Sequence, residues 1–275
     1  MPSPAFPPQV QTPTARLEFG LVNGKTTLLR AEASTPLKLL HPRHAGTAGW
    51  ACLSSHGGGL VDGDAPVVDL RVGPGASAAL TTQASTKVYP GTASQALTAS
   101  AAAGALLVAA PDPVTCYAGA RYRQDLRFFL DAGADLAVVD WLTSGRAARG
   151  ERWDFRSYES RLTIERDGRA LLHDALRLDP EAGPLRARLG RFEVLALAAV
   201  TGPRLAEGAG RLLADIAARP LSRRSRLALS AGPLGGDGVL LRLAAESVEE
   251  CAAALRGALG FVWTLLGDDP WTSRY

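Results

Sequence analysis

Three groups of residues in this chain are of types that could do chemistry. His56-Gly57-Gly58-Gly59 has the form of the backbone oxyanion hole of lipases and esterases. Asp62, Asp64 and Asp69 follow it closely enough to suggest a cation cluster. His41, His44, Cys52 and His56 offer ligand types that suit zinc, nickel or copper. Each reading needs further parts. An esterase needs Gly-x-Ser-x-Gly at a strand-to-helix elbow, and none occurs. A phosphate loop needs Gly-x-x-x-x-Gly-Lys-[Ser/Thr], which is absent, and carboxylates here would repel a phosphate. "DGDAPVVD" lacks the glycine and terminal glutamate of an EF-hand. The histidine spacing fits no closed zinc module, and Pro42 beside His41 places the pair in a loop. Metal ligands and surface histidines both stay open as readings.

The other carboxylates without obvious partners are Asp112, Asp140 and Glu151. Asp140 stands inside an apolar strand, "LAVVDWL". A carboxylate there is costly unless it is paired or hydrogen-bonded. Arg146, Arg149 and Lys87 are candidate partners. A buried ion pair holding strands together and a functional site are both open. No nucleophile, base and orienting group can be assembled into a catalytic set.

The elements that must position these residues are mostly strands. Alternation on both sides of Asn23-Gly24 and of Asp167-Gly168 predicts two β-hairpins. Gly75-Ala76, Gly104-Ala105 and Gly133-Ala134 recur at intervals of 29 residues, each before a short apolar strand. Such a period suggests stacked coils or hairpins. The stacking would bring the strand ends to one rim: Thr82, Gln83 and Lys87, then Pro111, Asp112 and Pro113, then Asp140 and Trp141. "RFEVLALAAV" reads as a strand covered on both faces. "RSRLALS…GVLLRLAAES" (224–247) reads as a strand pair with a glycine-rich turn at Gly235–Gly238. Two helices are expected near the C-terminus. "EGAGRLLADIAARP" ends at Pro220, and "SVEECAAALRGALGFVWTLL" begins with a capping box from Ser247 to Glu250. The fold class is therefore mostly β, a β-helix-like stack of strands and hairpins with two α-helices near the C-terminus.

Residues 1–14 are proline-rich and expected as a flexible arm. Residues 15–275 are expected as one domain. The chain of 275 residues is 47% hydrophobic and 21% charged, a globular composition. Three cysteines far apart imply no disulfide framework. The N-terminus does not read as a signal peptide, and no apolar run reaches a membrane span, so a cytoplasmic protein is expected. A net charge of +3 without a basic stripe argues against nucleic acid. The arginine-rich spots at 121–127, 146–156 and 223–226 read as solvated faces or as a surface for an anionic protein.

"GGGLVDGD" (57–64), "GASAALTTQASTKVY" (75–89), "PDPVTCYAGARY" (111–122) and "VDWLTSGRAARGE" (139–151) occur in an order and spacing that resembles the urease accessory protein UreD (UreH) family. The resemblance implies a β-helix-like stack with two helices. It also implies a non-enzymatic nickel-insertion chaperone in urease maturation. Such a chaperone binds UreF directly, reaches the GTPase UreG through it and docks on urease apoprotein. It helps conduct Ni2+ through an interior tunnel, with no tightly bound cofactor. Carried onto this sequence, the implied nickel path is Asp64, Asp140 and Glu151. Thr86 and Lys87 lie in matched motifs, and Asp62 and Asp112 are further candidates. Asp62 stands where the family usually has a glycine, and "DDPWTSRY" matches the family's ending only loosely. Two readings from other classes are a hydrolase built on the His56 loop and a β-solenoid interaction module without a metal role.

Overall fold

The computed structural model describes residues 12–42, 46–220, 222 and 224–271. The Asn23-Gly24 hairpin forms as expected, joining β1 (Ala15–Val22) to β2 (Lys25–Ala33), with both turn residues at positive φ. Residues 1–11 of the expected arm lie outside the described residues. Thr14 is already fixed, since its N–H donates to Val67 O at 2.7 Å and its hydroxyl accepts from Val67 N–H at 3.0 Å.

After β3 (Leu37–Leu40) the chain winds as a solenoid through β4 (Gly49–Ser55), β5 (Val67–Val72), β6 (Ser77–Thr82), β7 (Thr86–Val88), β8 (Gly91–Ala101), β9 (Leu106–Ala109), β10 (Val114–Cys116), β11 (Ala120–Leu130), β12 (Asp135–Thr143) and β13 (Ser157–Arg166). Strands β4, β6, β9 and β12 stack in parallel in one sheet, and β5, β8, β11 and β13 in the other. Strands β7 and β10 form a short third face. The pairings Gly49↔Ala78, Ser77↔Leu106 and Leu106↔Asp135 turn the 29-residue period into a physical register. Gly75, Gly104 and Gly133 sit at φ of 66°, 70° and 74°, the left-handed corner that starts each coil. The alanine after each is fully buried in the core between the sheets.

The second expected hairpin joins β13 to β14 (Arg169–Leu178), and a short helix α1 (Leu185–Leu189) follows. Strand β15 (Val194–Thr201) extends the second sheet antiparallel to β12. It is buried along nearly its whole length, as its continuous apolar sequence predicts. Helix α2 (Ala206–Ala217), the pair β16 (Leu227–Leu234) and β17 (Gly238–Ala245), and helices α3 (Val248–Ala258) and α4 (Gly260–Leu266) complete the chain. The first sheet has the order β14-β13-β11-β8-β5-β1-β2, and the main path of the second is β16-β17-β15-β12-β9-β6-β4-β3.

One apolar core lies between the sheets, including Leu17, Leu70, Phe128, Leu136 and Val138. A second lies between the second sheet and the helices, including Trp141, Leu212, Leu255 and Trp263. Ser247 caps α3 by accepting Glu250 N–H at 3.2 Å, as the capping box predicts. The single long helix expected from that sequence is instead two. Leu259 leaves helical geometry at φ −101°, ψ 12°, and Gly257 and Gly260, poor helix formers, flank it. No described helix is long and apolar enough to cross a membrane.

Candidate functional site

Side chains alternate along a strand, so β11 sends Tyr122, Gln124, Leu126 and Phe128 between the sheets and its arginines outward. Parallel in-register stacking sets Gln124 beside Gln95 of β8 and beside Ser160 of β13. The same alternation on β12 turns Val138, Asp140 and Leu142 inward and Trp141 towards the helices. A polar rung therefore crosses the interior. Ser160 Oγ donates to Asp140 Oδ2 at 2.5 Å, and Gln124 Nε2 donates to Asp140 Oδ1 at 2.6 Å. Gln124 Nε2 also lies 2.9 Å from Ser160 Oγ and 3.1 Å from Tyr158 Oη, and Tyr122 Oη donates to Gln124 Oε1 at 3.3 Å.

This corrects the expected pairing of Asp140. No described arginine or lysine forms an ion pair with it. Neutral amide and hydroxyl donors hold it. Of the expected partners, Arg146 pairs instead with Glu151, and Arg149 and Lys87 are exposed. Burial raises the Asp140 pKa above its usual 3.8, while hydrogen bonds from Ser160, Gln124 and Tyr158 oppose that rise. Asp140 still keeps some accessible surface, and it lines an interior cavity of about 50 Å³. Thr82, Thr86, Gln95, Asp112 and Gln124 line the same cavity, which has room for a few waters. A second cavity of about 190 Å³ shares Leu53, Thr82, Thr86 and Gln95 with it and reaches Ser54, Gln83 and Lys87.

The coil ends meet as the repeat predicts. Asp112 N–H donates to Thr82 Oγ1 at 2.7 Å, Thr82 Oγ1 donates to Asp112 Oδ2 at 3.2 Å, and Trp141 Nε1 donates to Pro111 O at 2.8 Å. Of the candidate positions, Asp140, Asp112 and Thr86 line the inner cavity, and Lys87 lines only the second. Asp64, Asp62 and Glu151 line neither. Asp64 accepts Val61 N–H at 2.8 Å and ties its own turn. Asp62 Oδ1 accepts Thr92 N–H at 2.7 Å and lies against Gly91, where a Cβ would meet it. Glu151 pairs with Arg146, which holds its carboxyl below the usual range, and accepts Ala118 N–H at 3.3 Å.

Gln95, Gln124, Tyr158 and Ser160 were not foreseen. The signal for two of them was present, since Gln95 and Gln124 are themselves one period apart. The step from β11 to β13 is longer, Arg121↔Ser157, which hides Ser160 from the same reading.

The glycine-rich loop is structural in its backbone. A Cβ on Gly59 would lie 2.6 Å from Lys87 O, and Leu60 N–H donates to that same oxygen at 2.8 Å. His56 is exposed, and among the described residues no hydrogen bond or ion pair orients its ring. Cys52 is buried in β4, while His41 and His56 follow opposite ends of the β3–β4 hairpin, where Leu40 faces Cys52 and Leu37 faces Ser55. His44 lies outside the described residues. Among those described, no three histidine, cysteine, aspartate or glutamate side chains converge to hold a metal.

A family model described as "UreD urease accessory protein" matches residues 11–274. The chain belongs to the UreD family. It is 51% identical to "Urease accessory protein UreD" of Sorangium cellulosum, over 95% of this chain and 84% of that one. It is 46% identical to the protein of the same name from an Anaeromyxobacter species, over 93% and 87%. It is 33% identical to "Urease accessory protein D" of Oryza sativa subsp. japonica, over 96% and 95%. This UreD-family chain thus has a role in urease maturation, a task shared with other maturation components.

Proposed function

We propose that this chain is a non-catalytic scaffold and nickel-insertion chaperone. It binds a UreF-like protein directly, reaches a UreG-like GTPase through it and docks on urease apoprotein. Within that assembly it helps conduct Ni2+ towards the urease active site. The observation that carries the conduit is the cavity holding Asp112 and Asp140, which adjoins a second, more open one at Thr82, Thr86 and Gln95. A carboxylate there attracts a divalent cation, and neutral oxygen neighbours hold it weakly enough for release. Asp64 and Glu151 are engaged in turn and ion-pair contacts, so the conduit is assigned to Asp140, Asp112 and Thr86, with Lys87 at the outer cavity. The cytoplasm is the compartment consistent with such a role.

The test is Asp140→Ala in cells that make urease. Urease nickel content and activity should fall while the UreF-like partner still co-purifies. Full nickel content in the variant would overturn the conduit, and a wild-type chain that retrieves neither a UreF-like protein nor urease subunits would overturn the scaffold.

A further inference from the structure

The arginines of segments 146–156, 185–193 and 219–226 have no part in the conduit. They belong to one surface. Arg152, between β12 and β13, donates to Gly190 O and pairs with Glu193, and Arg186 of α1 donates back to Arg152 O at 2.8 Å. Arg191 donates to Ser225 O at 2.7 Å and pairs with Glu246, which Arg226 also faces at 3.5 Å. These contacts lock the three segments into a platform. Trp153 anchors it, buried at a φ of 59° that a bulky residue rarely adopts, with Nε1 donating to Phe192 O at 3.1 Å. Every carboxylate of the three segments is engaged inside the platform: Glu151 with Arg146, Asp154 with Arg186 and Glu193 with Arg152. Arg149, Arg156, Arg188, Arg219 and Arg224 are exposed, and among the described residues none of them pairs with a carboxylate. Positive potential on this surface is therefore unopposed. The exposed large apolar side chains, Leu21, Val22, Leu29, Val61, Phe129 and Leu265, all lie outside these segments.

We propose that this arginine platform is the surface that docks the client, through an acidic patch of urease apoprotein. The inference rests on the scaffold reading and deepens it by naming the surface. A standing partner is held by an apolar interface core, which these segments lack. A client must arrive quickly and leave when its metal is in place. Complementary charge speeds encounter, and exposed ion pairs without an apolar core release readily. Arginine suits the task because its planar fork bonds a carboxylate through two N–H groups. The interlocked segments hold the forks ready, so little ordering is needed on contact. Nucleic acid fits less well, because base stacking needs a free aromatic face. Trp153 and Phe155 are buried, and Phe192 lies under the Arg191 guanidinium.

Biolayer interferometry of purified urease apoprotein on the full chain, bound to its UreF-like partner, tests the surface at low and high salt. Arg149→Glu, Arg188→Glu and Arg224→Glu together should weaken low-salt binding at least about tenfold, and high salt should erase most of the difference. The triple variant should still co-purify with the UreF-like partner, which keeps failure here separate from failure of the scaffold reading. Equal apoprotein affinity for wild type and a variant of native circular dichroism overturns the proposal, and so does a loss that salt does not touch. If the reversal impairs folding, Arg149→Gln with Arg188→Gln removes charge and decides by the same comparison. A photocrosslinking residue in place of the exposed Ala148 supports the proposal if it joins an Asp/Glu-rich peptide of the apoprotein. Adducts to nucleic acid alone overturn it.

Discussion

Asp140 and Ser160 lie on different sheets, yet Ser160 Oγ donates to Asp140 Oδ2 at 2.5 Å. That contact closes the solenoid interior at one rung, where apolar side chains give way to polar ones. Because burial raises the Asp140 pKa above 3.8, the folded chain holds this proton more tightly than the unfolded chain. The stability this carboxyl adds is full below pH 3.8 and is lost as pH rises to the folded value. The loss follows a slope of up to about 1.4 kcal/mol per pH unit. Asp140→Asn removes that slope. Thermal melts from pH 4 upward should show the variant gaining on wild type across the window and staying level above it.

Asp135 is fully buried at the start of β12, and it accepts Arg204 N–H at 2.9 Å while pairing with the Arg204 guanidinium. The same guanidinium donates to Gly104 O at 3.0 Å, which ties the loop before α2 to a solenoid corner. Arg204→Leu leaves a buried carboxylate without its cation and should cost about 3 kcal/mol. Urea unfolding at neutral pH measures this.

Gly59→Ala places a Cβ 2.6 Å from Lys87 O and 2.7 Å from the Tyr89 ring. Backbone must move, so the variant should lose about 2 kcal/mol. Ester hydrolysis should be absent in both forms. An esterase activity in wild type that this substitution removes would return the His56 loop to chemistry.

Gly210 lies exposed in α2, and an added Cβ meets nothing within 4 Å. Gly210→Ala should stabilise the chain by up to about 1 kcal/mol through helix propensity and a stiffer unfolded chain. A raised melting temperature with unchanged urease activation is the expected outcome.

Trp271 packs on Trp263 at 5.4 Å and Trp141 at 5.8 Å between ring centroids. Arg256 Nε donates to Asp269 Oδ2 at 2.7 Å, and Asp269 Oδ1 accepts Trp271 N–H at 2.9 Å, so the end of the described chain is pinned to the helical layer. Trp271→Ala should cost about 3 kcal/mol and shift tryptophan emission to the red as Trp141 and Trp263 become wetter.

Local chemistry was enough for several features. Asn23-Gly24 and Asp167-Gly168 specify hairpins because their turns require positive φ. The 29-residue spacing of Gly-Ala pairs specifies the coil, because each coil needs the same corner. The motif series specifies the family, and Ser247 specifies a helix start. These signals are carried by residues close in sequence or at a fixed interval. Three outcomes depend on distant parts of the chain, and only the tertiary structure decided them. Asp140 is held by Gln124 and Ser160 and not by Arg146, Arg149 or Lys87, because Arg146 pairs with Glu151 while Arg149 and Lys87 are exposed. Asp64, and Glu151 in the same motif as Asp140, are committed to a turn and an ion pair away from the cavity. The helix beginning at Ser247 breaks at Leu259. Sequence order shows which residues share a strand, but which oxygens meet across the interior is set by how two sheets and their insertions close on each other.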